Sequence, residues 1–286
     1  MPPTIWIDGQ YRDGASATVS VYDHGLLYGD GVFEGIRAYN GRIFRLDRHL
    51  ERLYGSAKGI WLDVPLPAAE LGRVVEETVG KSGIKDAYIR LVVTRGVGDL
   101  GLDPRKCPKP TVICIVDTIK LWPQESYERG LTALTAATPI NRESLSPRIK
   151  SLNYLSHILA KVEGIAAGVD EVIMLDSSGY VAEASGMNLG MVKRGVVRTP
   201  PPYAGILRGV TRDAILELAR EAGYGVDESP LNRYDLYTAD EVFLTGTAAE
   251  VVGVAKLDGR VIGTGKAGPV TRDLFARFRA LATRGD

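Results

Sequence analysis

Apolar segments at the start of the chain are short and broken by turn dipeptides. TIWI runs into Asp8-Gly9, and VFEGIRAY into Asn40-Gly41 and then RIFRL. Asp-Gly and Asn-Gly favour the type I′ turn that joins antiparallel strands, so the pattern predicts hairpins. From Asp47, read as an N-cap, the residues Leu50, Leu53, Ala57 and Ile60 recur at helical spacing. A second helix is predicted over PAAELGRVVEETVGKSG, with Gly83 as its stop. AYIRLVVTR and PTVICIVDTI then read as strands that complete an α+β unit.

The proline-bearing stretch near LWPQESY reads as a linker. It divides the chain into a small domain (1–121), a linker (122–130) and a larger domain (131–286). In the second domain LTALTAATPI is a predicted strand. Leu152, Leu155, Leu159, Val162 and Ala166 then line one face of a predicted helix ended by Gly168. EVIML, YVAEASGMNLGMV and VVRTPP are short and separated by tight turns, which favours antiparallel sheet over βαβ winding. Helices are predicted over TRDAILELAREAG and near PVTRDLFARFRALA, with strands over EVFLTGTAAEVV and GVAKLDGRVIG between them. The fold class is α+β, with mainly antiparallel sheet and flanking helices in each domain.

Composition narrows the function. The 286 residues carry 35 Lys plus Arg against 35 Asp plus Glu, so no net field recruits nucleic acid or an anionic membrane. No apolar run approaches the ~20 residues of a membrane span, and the N-terminus lacks a secretion signal. A cytoplasmic location is expected. Two cysteines and three scattered histidines exclude a disulfide framework and argue against a zinc site. GVGDLG at 96–101 matches a dinucleotide-binding spacing, but the LDPRKCPKP that follows cannot open the required helix. A glycine-rich loop over some other site is the better reading.

Three features fit one chemistry. Gly209 and Thr211 in GILRGVTRDAI stand where a loop becomes a helix, whose first amides suit a phosphate; a plain N-cap is the alternative. TGTAAE offers small and hydroxyl-bearing residues at a strand end, which an ordinary β-turn would also use. Lys150 has an apolar neighbour in Ile149, an environment that favours a free amine able to form an imine, and Glu183 lies in the apolar YVAEASG. Pyridoxal 5′-phosphate needs an imine lysine, a carboxylate for its pyridine nitrogen and a phosphate cradle together.

With YGDGVFEGIRAY, HLERL, AYIRLVV, KSLNYL, GYVAEASGMNL, GILRGVTRDAI and ADEVFLTGTAAEVV in this order, the chain resembles the fold-type IV pyridoxal-phosphate enzymes, and most closely the branched-chain amino-acid aminotransferases. The resemblance implies that Lys150 is the Schiff-base lysine, that Glu183 pairs with the pyridine nitrogen and that Tyr154 bonds the phenolic oxygen. It implies a phosphate held by Arg52, the amides of Val210 and Thr211, and Thr247, with Leu207 against the ring. Tyr88 and Arg90, with the amides of Thr247 and Ala248, would surround the substrate carboxylate, and Phe33, Gly35 and Arg37 would shape the side-chain site. Tyr28 and Leu102 would serve the neighbouring subunit, so a homodimer or larger homo-oligomer is implied. The implied substrates are branched-chain L-amino acids with 2-oxoglutarate as acceptor. D-amino-acid or (R)-amine transaminases and aminodeoxychorismate lyases share the same lysine and glutamate, and a non-catalytic binding protein is the alternative of another class.

Three positions depart from the family pattern. Gly190 replaces an expected phenylalanine and predicts a void, Arg208 stands beside the expected phosphate loop where proline or an acidic residue is common, and Gly253 replaces a common proline.

Overall fold

The computed structural model describes residues 3–141 and 147–284. The chain forms two compact units. One runs to Ile119 and takes back Ile149–Asn153 and the C-terminal residues from Ala282; the other holds Lys120–Arg148 and Tyr154–Leu281.

In the first unit the strands are β1 (Thr4–Ile7), β2 (Gln10–Arg12), β3 (Gly31–Tyr39), β4 (Arg42–Ile43), β5 (Tyr88–Thr94) and β6 (Thr111–Asp117). They form one sheet in the order β2-β1-β6-β5-β3-β4, antiparallel throughout. Both expected hairpin turns form: Asp8 and Gly9 have φ of 46° and 93°, Asn40 and Gly41 of 51° and 84°, the pair of positive values a type I′ turn needs. The helices are α1 (His24–Tyr28), α2 (Leu46–Gly59) and α3 (Ala68–Ser82). Leu50, Leu53 and Ala57 of α2 and Leu71 and Val75 of α3 pack on Val32, Ile36, Ile89 and Leu91 of the sheet. Gly83 ends α3 with φ 65°, as its sequence predicts. Asp47 is not the N-cap of α2. Arg45, in the left-handed region at φ 49°, turns the chain into the helix two residues earlier, and Asp47 lies in the first turn, where its charge faces the positive end of the helix dipole.

The second unit contains α4 (Gln124–Arg129), which lies within the expected linker, and then β7 (Leu131–Thr135), α5 (Leu155–Ala166), β8 (Glu171–Leu175), β9 (Val181–Ala184), β10 (Asn188–Lys193) and β11 (Val196–Thr199). It continues with α6 (Val210–Glu221), β12 (Gly225–Glu228), α7 (Arg233–Tyr237), β13 (Glu241–Gly246), β14 (Glu250–Leu257), β15 (Arg260–Val261) and α8 (Pro269–Arg284). The sheet order is β12-β11-β10-β13-β14-β7-β8-β9, with β15 paired to β14. Most pairs are antiparallel, but β7 pairs β8, β11 pairs β12 and β14 pairs β7 in parallel. The antiparallel pairing expected of these segments holds for β8 with β9 and for β10 with β11, but βαβ connections stand beside it. The β7–β8 connection carries α5 and the β11–β12 connection is α6, because parallel neighbours need a crossover long enough to return the chain. At the start of α8 the buried Glu241 accepts from the backbone of Val270 and Thr271 at 3.0 and 2.8 Å and from the Thr271 hydroxyl at 2.6 Å.

Two further expectations change. The predicted apolar face of α5 does not meet the core: Leu155, Leu159 and Val162 are 68%, 49% and 52% exposed, and Leu152 precedes the helix. The helix instead buries Ala160 and Gly164, small residues that let it lie close to β8; a Cβ on Gly164 would come 2.7 Å from Val172. Gly190 leaves no void. Its cross-strand partner Phe243 lies over it, so that a Cβ there would be 2.4 Å from the ring. Gly253, on the other side of Phe243, lets Ala267 approach to within 2.9 Å of where a Cβ would stand.

Candidate active site

In the first unit the segment carrying Lys150 is laid against the start of β3. The Phe33 amide donates to the Lys150 carbonyl at 3.0 Å and the Leu152 amide to the Gly31 carbonyl at 2.9 Å. The Lys150 amide donates to the Ser56 hydroxyl of α2 at 3.0 Å. Main-chain bonds on both sides thus fix the lysine, and its Nζ lies 4.4 Å from the centroid of the Phe33 ring, the distance of a cation–π contact.

Because side chains alternate along a strand, Phe33, Gly35 and Arg37 point away from the helix-packed core. On β5, Arg90 pairs with Gly35 and Tyr88 with Arg37. The Arg90 guanidinium lies 4.7 Å from the Phe33 ring centroid and donates to the Tyr88 hydroxyl at 3.1 Å. A Cβ on Gly35 would lie 2.3 Å from that hydroxyl, so glycine makes room for the tyrosine. Arg37 instead lies 5.1 Å over Tyr39. Four of the expected residues and Lys150 therefore form one aromatic and cationic patch.

Arg52 of α2 reaches the buried carboxylate of Glu34 on β3. Its Nε and one terminal nitrogen fork the two oxygens of Glu34, each at 2.7 Å, and His49 Nδ1 donates to the same carboxylate at 2.8 Å. Burial by itself would push the Glu34 carboxyl up, but the Arg52 charge and fork, with the His49 bond, hold it down at about 2. Burial also lowers the affinity of His49 for a proton, against the pull of Glu34, and the charges of Arg52 and Lys150 add to the lowering.

Tyr28 closes α1, and its hydroxyl donates to the Leu100 carbonyl at 2.6 Å. His24 Nε2 meets the Asp99 carbonyl at 2.7 Å, its amide donates to Gly96, and the Gly98 amide donates to Tyr22. The glycine loop is thereby lashed to α1, and Pro104–Lys106 after it form one 3-10 turn instead of a nucleotide-binding helix. Leu102 in this stretch is 79% exposed.

In the second unit Glu183 of β9 is 6% exposed. One oxygen accepts from Asn188 Nδ2 at 3.0 Å and from the Leu207 amide at 3.1 Å; the other lies 3.9 Å from His157 Nε2. His157 stacks on Tyr154, ring centroids 4.8 Å apart, at the start of α5. Asn188 Nδ2 also donates to the Leu207 carbonyl at 2.7 Å, tying β10 to the loop before α6. The N-cap of α6 is Gly209, with no capping hydrogen bond from a side chain, and Val210 and Thr211 are its first residues. A Cβ on Gly209 would stand 2.0 Å from Asn188 Oδ1. Thr247 and Ala248 lie in the turn between β13 and β14, and beside them Thr245 Oγ1 is buried without a partner among the described residues. Arg208 stays exposed and bonds Asp213 at 3.0 Å.

Glu34, His49, Asn188 and His157 were not among the expected site residues. A signal for the first two existed: Glu34 falls in the apolar phase of β3 with Val32, Ile36 and Ala38, and His49 and Arg52 are three apart on the helix that covers it.

These donor sets suit pyridoxal 5′-phosphate. A buried carboxylate whose one oxygen is fixed by two N–H donors is oriented to receive a ring N–H, and a glycine-capped helix start gives amides access to an oxyanion. No group of three or more residues able to hold a metal ion occurs among the described residues.

Comparison with known proteins agrees. The family model for amino-transferase class IV matches residues 31–257. A relative from Methanocaldococcus jannaschii is 51% identical, covering 98% of this chain and 96% of its own. The branched-chain-amino-acid aminotransferase of Pseudomonas aeruginosa is 39% identical over 94% of this chain and 90% of its own. The crystal structure of a T.th. branched-chain amino acid aminotransferase with pyridoxamine 5′-phosphate superposes with a TM-score of 0.95 at 37% identity, covering 99% of this chain and 95% of that one. With a match over most of its length and relatives this similar, the chain belongs to the class IV aminotransferases.

Proposed function

We propose that the chain is a pyridoxal 5′-phosphate-dependent aminotransferase of leucine, isoleucine and valine, with 2-oxoglutarate as acceptor. The observation that carries this reading is the Lys150 amine over the Phe33 ring, beside the Arg90–Tyr88 pair. The cofactor, when bound, supplies an aldehyde for the substrate amine and a ring that accepts the charge developing at the α-carbon. Lys150 Nζ would take the proton from the substrate α-carbon and pass it to the cofactor, and in the reverse half would carry a proton from the cofactor to the α-carbon of the second substrate. Glu183 holds a proton on the ring nitrogen, and Tyr154 donates to the phenolic oxygen. Arg52, the Val210 and Thr211 amides and the Thr247 hydroxyl bind the phosphate, and Leu207 packs on the ring. Arg90, oriented by Tyr88, receives the substrate carboxylate with the Thr247 and Ala248 amides. Phe33, Gly35 and Arg37 shape the aliphatic site, and Tyr28 and Leu102 serve the neighbouring copy in a cytoplasmic homo-oligomer. Among the described residues no helix is long and apolar enough to cross a membrane.

The test is a half-reaction. L-leucine without an acceptor is expected to bleach the visible absorbance of the holoprotein, and Lys150→Ala to lose both that absorbance and turnover. Bleaching by D-alanine or (R)-1-phenylethylamine with leucine inert would replace this reading by one of the other transaminases, and no bleaching by any donor would leave a binding protein.

A further inference from the structure

We propose that Glu34 is a positioning residue for the cofactor phosphate, acting through Arg52, with His49 as the second hand on the same carboxylate. The inference rests on the aminotransferase reading and deepens it. Glu34 is fully buried on the core face of β3, between Val32 and Ile36, where an apolar side chain would be the ordinary choice. A buried ion pair adds little stability over packed hydrocarbon of the same size, so a carboxylate kept there points to a task other than holding the unit together. That task is written in its contacts. A fork through Nε and one terminal nitrogen fixes both the position and the plane of a guanidinium, which a single bond would leave free to rotate. With one edge of Arg52 engaged in this way, the direction of its second terminal nitrogen is set as well.

His49 completes the arrangement. It is 1% exposed, its Nδ1 carries the proton donated to Glu34, and its ring stops the carboxylate from turning about its own axis. Glu34 and Arg52 cancel in charge. A phosphate would therefore be held here by directed N–H groups more than by an excess of positive charge, and such groups bind well only when their orientation is set beforehand.

The test compares binding of pyridoxal 5′-phosphate and of pyridoxal, which lacks the phosphate, to the full chain stripped of cofactor. In Glu34→Gln the preference for the phosphorylated vitamer is expected to fall by about tenfold or more, the scale of a lost charge-assisted bond, while pyridoxal affinity stays as in the wild type. His49→Asn should give a smaller loss of the same kind. Because Glu34→Gln leaves Arg52 without its counter-ion and can cost folding, the same substitution is also made in an Arg52→Ala background. There it is expected to change the preference no further, since the residue it acts through is gone. An unchanged preference in Glu34→Gln, or an equal added loss in the Arg52→Ala background, overturns the proposal. A wild-type chain that takes up neither vitamer overturns the aminotransferase reading itself, an outcome distinct from either of these.

Discussion

Glu34 shows at the scale of one residue how burial and partners compete. Desolvation opposes its charge, and Arg52 with His49 more than restores it, holding the carboxyl at about 2 against an ordinary 4.5. A carboxylate whose affinity for protons is depressed by folding stabilises the fold above pH 4.5 and loses that contribution as the pH falls toward 2. The shift corresponds to ~3 kcal/mol. In urea titrations the stability gap between wild type and Glu34→Gln should be widest near neutrality and close through that acid window; a gap that is constant with pH would refute the charged network. This residue also marks a limit of sequence reading. VFEGIR was legible as a strand, and Lys150, Glu183 and the two glycine-bearing loops as candidates for chemistry. The partners of Glu34 come from a helix whose facing was predicted only through its leucines. Gly190 was misread for a related reason. The chain alone shows a missing aromatic, whereas the compensating one, Phe243, stands opposite it on a strand more than fifty residues away.

Among elements, the start of α8 is capped by a residue distant in sequence. Glu241, at the first position of β13, closes the N-terminus of α8 with three acceptor contacts, as an acid does when it meets the unpaired amides of a first turn. Glu241→Ala would strip those amides of their partner and open a hole beside Gly268, whose absent side chain leaves room for the carboxylate. A loss of ~2 kcal/mol is expected, read as a fall of several degrees in the thermal midpoint. A midpoint unchanged within a degree would mean that water serves the helix end equally well. Helix periodicity was legible, and the existence of every major helix followed from it. What covers an apolar face was not: the leucines of α5 recur correctly, yet β8 receives the small residues on the other side. Parallel pairing of β7 with β8 was equally hidden, since periodicity reports which face of a strand is apolar and nothing about its neighbour's direction.

For the whole molecule, the exposed face of α5 is the feature that asks for a partner. Leu155, Ile158, Leu159, Val162 and Ile165 are each about half or more open to solvent along one short helix, a density of aliphatic surface that monomers seldom leave wet. The family resemblance implies a homo-oligomer, and a second copy of the chain is the occupant proposed here for this face. Ile158→Glu with Val162→Glu should shift the mass measured by light scattering toward the monomer; the same mass in the double variant would place the contact elsewhere. The lashing of the glycine loop to α1 carries a consequence for how such a catalyst diversifies. Both side-chain tethers, from His24 and Tyr28, end on main-chain carbonyls, so the anchorage is indifferent to the letter written at position 100, whereas Asp99 also holds the loop by accepting from the Gly101 amide at 2.8 Å. Lineages, or an engineer, can rewrite the side chain at 100 while the ribbon that presents it keeps its course.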